Sequence, residues 1–153
     1  MSALQQPKTR RRGRAVDQDL LKSFGRVMLI EDDLVDRITC QRLLRRLDLA
    51  DELLCFADAE AALLGMETNE GFEADVIFLD VNMPRMNGLE FLQEIYKSEK
   101  VQFSGVVAVM VSTDLTAELQ MKFEEIQCVR AFIRKPMTAD ELAALATEIE
   151  GRK

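Results

Sequence analysis

The chain has 153 residues, a formal net charge of -7 and no histidine. Without an imidazole there is no Ser/His/Asp triad, no Cys/His nucleophile pair, no His-ligated zinc and no phosphohistidine carried by the chain itself. The length suits one ordinary domain, and 48% apolar with 31% charged residues is the balance of a globular protein rather than a disordered one.

Residues 1–24 hold Lys8, Arg10, Arg11, Arg12, Arg14 and Lys22 against Asp17 and Asp19, a net +4, which leaves -11 for the remainder. Apolar periodicity is missing until Leu20, Leu21 and Phe24. Residues 1–24 are therefore expected to form a flexible basic arm joined near Gly25 to an acidic domain, 25–153. The arm carries neither interleaved aromatics nor a helix-turn-helix pattern, so nucleic acid is not the expected partner. It also lacks the apolar centre of a signal peptide, and the longest strictly apolar run is only Val106 to Val111. Neither export nor membrane insertion is expected. The cysteines, Cys40, Cys55 and Cys128, show no C-x-x-C spacing, which suits buried thiols of a reducing cytoplasm.

From Arg26 onward, short apolar runs alternate with segments of helical period. The runs are 27–30, 53–56, 76–79, 106–111 and 131–133. Five brief strands follow from them. Cys40, Leu43, Leu44 and Leu47 mark the first helix; Ala59, Ala62, Leu63 and Met66 the second; Leu89, Leu92 and Tyr96 the third. Leu119, Phe123 and Ile126 mark a fourth, and Leu142, Leu145, Ala146 and Ile149 a fifth. Asp58 is placed to cap the second helix, and Thr138 with Glu141 to form a capping box at the last. Strict alternation of strand and helix predicts parallel strands with right-handed crossovers, an α/β doubly wound sheet covered by helices on both faces.

Such sheets collect ligands at the carboxyl ends of their strands. Glu31, Asp32 and Asp33 follow the first strand, Asp80 the third, Ser112 and Thr113 the fourth, and Lys135-Pro136 the fifth. Three carboxylates about 5 Å apart would repel by roughly 3 kcal/mol per pair at an effective dielectric near 20. A hard divalent cation, Mg²⁺ where carboxylates meet phosphate, and the Lys135 ammonium would compensate them. Carboxylate, metal, hydroxyl and ammonium together point to phosphoryl transfer. In the absence of histidine, Asp80 is the candidate nucleophile, forming an acyl phosphate, with a hydrogen bond from the Ser112 hydroxyl.

Residues 26 to about 150 resemble the receiver domain of bacterial two-component response regulators, of the stand-alone, chemotaxis-regulator-like kind. The resemblance rests on Leu29-Ile30-Glu31-Asp32, on Ile77 to Pro84 with Asn87-Gly88, on Val111-Ser112 and on Arg134-Lys135-Pro136, in that order. It implies a flavodoxin-like five-stranded sheet of order 2-1-3-4-5 with five helices. It makes Asp80 the phosphoacceptor, Asp32 a direct Mg²⁺ ligand, Glu31 a ligand through water and Asn82 a ligand through its backbone carbonyl. Ser112 would bind a phosphoryl oxygen, Lys135 would pair with the phosphoryl group across a cis Lys135–Pro136 bond, and Phe132 would be the aromatic switch. Asp114 and Asn82 occupy places that tune dephosphorylation in the family. Three consecutive acids leave the register of the metal pair open by one residue. Glu31 and Asp32 are assigned because they follow the strand directly, which leaves Asp33 to start the first helix.

The implied function is that of a single-domain response regulator: a sensor histidine kinase or histidine phosphotransfer protein supplies the phosphoryl group. Output then runs through altered contacts with a protein target or through onward phosphotransfer, with phosphorylation-dependent dimerisation left open. The chain would catalyse its own modification at Asp80 rather than turn over a separate substrate. The alternatives are a phosphorylation-independent adaptor of the same shape and an aspartyl-phosphate phosphatase. The phosphatase reading lacks its general acid, because Asn82 stands where a second acid is needed. Nucleotide binding is disfavoured, since the seven glycines form no G-x-G-x-x-G or P-loop.

Overall fold

The structure is a computed structural model that describes residues 23–68, 73–112 and 115–152. Strands and helices alternate through the chain: β1 (Arg26–Ile30), α1 (Leu34–Arg46), β2 (Glu52–Phe56), α2 (Ala59–Thr68), β3 (Val76–Asp80), α3 (Gly88–Lys97), β4 (Val106–Val111), α4 (Ala117–Glu124), β5 (Val129–Arg134) and α5 (Ala139–Arg152). The strands form one parallel sheet in the order β2-β1-β3-β4-β5, as expected.

Central β3 is buried at all five positions, which is why Val76 to Leu79 reads as an uninterrupted apolar run rather than an alternating one before Asp80 ends the strand. Its side chains divide between two cores. Phe78, Leu29 and Met110 pack with Cys40, Leu43 and Leu44 of α1 and with Leu142, Leu145, Ala146 and Ile149 of α5. On the other face, Ile77, Leu79, Ile30 and Val109 pack with Ala62 of α2, Phe91 and Leu92 of α3 and Phe123 of α4. Each fully buried Leu, Ile or Phe contributes about 1.5–3 kcal/mol, so these two layers rather than the short helices' own propensity hold the fold.

Packing already includes the end of the segment expected to be an arm. Phe24 is buried and meets Phe78 edge to face at 5.4 Å, and the Ser23 hydroxyl donates to the Leu49 carbonyl. The charged stretch from Lys8 to Lys22 lies outside the described residues.

Side-chain caps start the helices at the carboxyl edge of the sheet. Asp33 accepts from the Asp36 N–H at 2.9 Å, and Asp58 from the Ala61 N–H at 2.7 Å. Asn87 and Glu90 exchange capping bonds at α3, as do Thr138 and Glu141 at α5. These caps tie the turns after β1, β2, β3 and β5 to the helices that follow, and so hold the residues they carry at the sheet edge. Among the described residues, no helix is long and apolar enough to cross a membrane.

Candidate functional site

Strand register sets the site. Ile30 pairs with Leu79, so Glu31, the next residue along, stands beside Asp80 at the end of β3. Val111 pairs with Arg134, and the backbone N–H of Lys135 continues that ladder to the Val111 carbonyl at 2.8 Å. Three residues far apart in the chain thus meet at the same edge.

Among the described residues, Glu31 and Asp80 are the buried charged ones, 1% and 3% exposed. Two carboxylates so placed would repel strongly without a cation. The Lys135 ammonium lies 2.7 Å from Glu31 Oε1 and 3.2 Å from Asp80 Oδ1, and also 3.2 Å from Asp36 Oδ2. Its three N–H donors therefore face three carboxylates. The Lys135–Pro136 bond is cis.

Burial, and after it the neighbouring charge of Glu31, pushes the Asp80 carboxyl up to about 7, against the pull of Lys135. Burial by itself would push the Lys135 ammonium down. The Glu31 hydrogen bond and the charges of Asp80 and Glu31 outweigh it and hold the ammonium above its ordinary value. Cys40, on the α1 side of this edge, is a buried thiol pushed up to about 12, first by desolvation.

Asp32 is exposed at the mouth, and Glu31, Asp32 and Asp80 each offer a carboxylate oxygen within 4.8 Å of one another. A set of hard oxygens carrying this excess negative charge fits Mg²⁺. Asp33 is exposed and caps α1 instead. Its N–H donates back to Glu31 Oε2 at 3.0 Å, fixing the turn that holds both acids.

Asn82 is exposed two residues past Asp80. Ser112 is exposed one residue past β4, two beyond the Met110 that pairs with Asp80. Phe132 is half-buried in β5, paired with Val109, and its ring meets Phe123 edge to face at 6.1 Å. Thr113 and Asp114 lie outside the described residues.

Two residues at the edge escaped the sequence reading. Asp36 reaches Lys135, and Arg37 Nη1 donates to the Glu31 carbonyl at 2.7 Å, tying the first turn of α1 to the end of β1. Asp36 was recognisable only as an acid in a helix's first turn. Its pairing with Lys135 exists because α1 and the β5–α5 loop lie against each other.

Comparison with known proteins agrees with this fold. The response regulator receiver domain matches residues 27–147. The chain is 31% identical over 125 residues to the sensory/regulatory protein RpfC of Xanthomonas campestris, covering 79% of this chain and 16% of that protein. It is also 31% identical over 126 residues to protein-glutamate methylesterase/protein-glutamine glutaminase 3 of Burkholderia thailandensis, covering 81% of this chain and 33% of that protein. The chain thus spans a third or less of these two relatives. Among solved structures, a two-component response regulator from Cytophaga hutchinsonii superposes with a TM-score of 0.73 at 24% identity, covering 84% of this chain and 98% of that one. The receiver domain of the Arabidopsis thaliana histidine kinase CKI1, complexed with Mg²⁺ and BeF3⁻, superposes with a TM-score of 0.71 at 23% identity, covering 89% and 95%. With the matched region running from β1 into α5 and the sheet order in agreement, the chain belongs to the response regulator receiver domain family.

Proposed function

We propose that this receiver domain accepts a phosphoryl group on Asp80 from a phosphohistidine of a sensor kinase or phosphotransfer protein. The observation that carries the reading is the Lys135 ammonium shared between Glu31 and Asp80 beside the exposed Asp32. It combines a nucleophilic carboxylate, a fixed cation and a set of metal-binding oxygens at an open sheet edge.

An Asp80 carboxylate oxygen attacks the phosphorus, a P–O bond forms, and the P–N bond to the donor imidazole breaks. The imidazole leaves with the electron pair and takes up a proton. Glu31 and Asp32, with Asp80 and the Asn82 carbonyl, are the residues to hold Mg²⁺. When bound, Mg²⁺ neutralises the acid cluster, keeps Asp80 ionised and screens the phosphoryl oxygens. Lys135 exchanges its bond to Asp80 for one to a phosphoryl oxygen, and the Ser112 hydroxyl donates to another. Phe132 turns inward toward the space that Ser112 vacates, and the changed α4–β5–α5 surface alters affinity for a protein target. Because the chain has no histidine, the donor imidazole comes from the partner.

Incubation with Mg²⁺ and acetyl phosphate, followed by intact mass and a phosphate-affinity gel, tests the reading. Wild type gains a base-labile phosphate and Asp80→Asn does not. Equal gain in both, or none in wild type, defeats the proposal.

A further inference from the structure

Asp36 gives this site a carboxylate whose role is separate from those of the metal-binding acids. It occupies the first turn of α1, where its N–H is held by the Asp33 cap, and its side chain is partly open to solvent. From there Oδ2 reaches the 9%-exposed Lys135 ammonium at 3.2 Å, on the side of Lys135 lined by Thr39, Cys40, Pro136 and Met137. Asp36 and Asp80 each lie 3.2 Å from the same Nζ, so one ammonium bridges their oxygens. Charge placed on Asp80 is felt at Asp36 through the ammonium they share.

The charge balance gives Asp36 its effect. Glu31, Asp80 and Asp36 share the Lys135 ammonium, Asp32 stands beside them, and Arg37 is committed to the Glu31 carbonyl, so the fourth acid makes the site more attractive to a divalent cation and more repulsive to an anion arriving at Asp80. It also holds the third N–H of Lys135, a donor that a phosphoryl oxygen would otherwise take. Resting on the phosphoacceptor reading above, we propose that Asp36 is a specificity-determining positioning residue: it favours Mg²⁺ binding while lowering the site's affinity for the phosphoryl group.

The two effects have opposite signs, and that separates a charge role from a merely structural one. Mg²⁺ affinity of the full chain is titrated by calorimetry, and beryllofluoride affinity by amide chemical shifts at saturating Mg²⁺, for wild type, Asp36→Asn and Asp36→Glu. Asp36→Asn, which keeps an oxygen for Lys135, is expected to bind Mg²⁺ about threefold to fivefold more weakly and beryllofluoride more tightly by a similar factor. Asp36→Glu should restore both values toward wild type. If Asp36→Asn changes both affinities in the same direction, or neither, the proposal for Asp36 is overturned while the phosphoacceptor reading stands. If wild type itself binds neither Mg²⁺ nor beryllofluoride, both fail.

Discussion

Lys135 and Glu31, separated by 104 positions in the chain, meet at 2.7 Å with their side chains 9% and 1% exposed. Asp80 shares the same ammonium. One cation therefore serves two buried carboxylates, and the energetics of the edge follow from that shortage.

Removing the cation should be costly. Lys135→Ala leaves Glu31 and Asp80 facing each other without a counter-charge, which costs about 3 kcal/mol in the metal-free protein. Urea denaturation should show the loss, and saturating Mg²⁺ should recover part of it by supplying the missing positive charge. A variant as stable as wild type without Mg²⁺ would contradict the role given to Lys135.

Removing one of the acids should do the reverse. Asp80 has its carboxyl raised to about 7 in the folded state, against an ordinary value of 3.8. The folded protein therefore binds more protons than the unfolded chain between those values, so stability falls as pH rises through that window. Metal-free Asp80→Asn lacks this contribution. At pH 7.5 it should be more stable than wild type by about 1–2 kcal/mol, an advantage that shrinks toward pH 4. Thermal melts of both proteins across that range, with chelator present, provide the comparison; a gap that does not change with pH would count against a raised Asp80.

Gly88 links the site to α3. A Cβ there would meet the Asp80 carbonyl oxygen at 2.6 Å and Val81 Cα at 3.3 Å, both backbone atoms, while the Gly88 N–H donates to the Val81 carbonyl. Gly88→Ala should cost about 1–3 kcal/mol by forcing the end of β3 and the start of α3 apart. Asn87→Ala, which loses only the cap, should cost about 1 kcal/mol. Chemical denaturation of the pair should rank them in that order.

The thiols should be slow to react. Cys40 is 4% exposed and pushed up to about 12, while Cys55 and Cys128 are half-buried and also raised by burial. Iodoacetamide at pH 8 should modify Cys40 last in the native protein and all three quickly in denaturant. Peptide mapping of the time course gives the order, and an early Cys40 adduct would contradict it.

Most of the architecture was legible in local pattern. Val76 to Leu79 reads as a buried strand because both faces of β3 are covered, and α1 reads as a helix because Cys40, Leu43 and Leu44 recur at its period and reach one core. The cap at Asp58 and the box at Thr138 and Glu141 were legible for the same reason, since a cap and its N–H lie three residues apart. Strand ends were less so: β5 begins at Val129, paired with Val107, and the register then shifts past Arg130, although the apolar run begins only at Ala131.

The alternation of elements, the chemical types at the strand ends and the absence of any imidazole are all written in residue identity or in spacing of a few positions. How those ends are wired depends on the packing of the fold. Strand register put Glu31 beside Asp80, and the exposed turn let Asp33 cap α1 while Asp32 stayed open at the mouth. The approach of α1 to the β5–α5 loop brought Asp36 to Lys135. Such pairings depend on distances across the fold rather than along the chain, and an ammonium with three donors takes whichever carboxylates packing brings within reach.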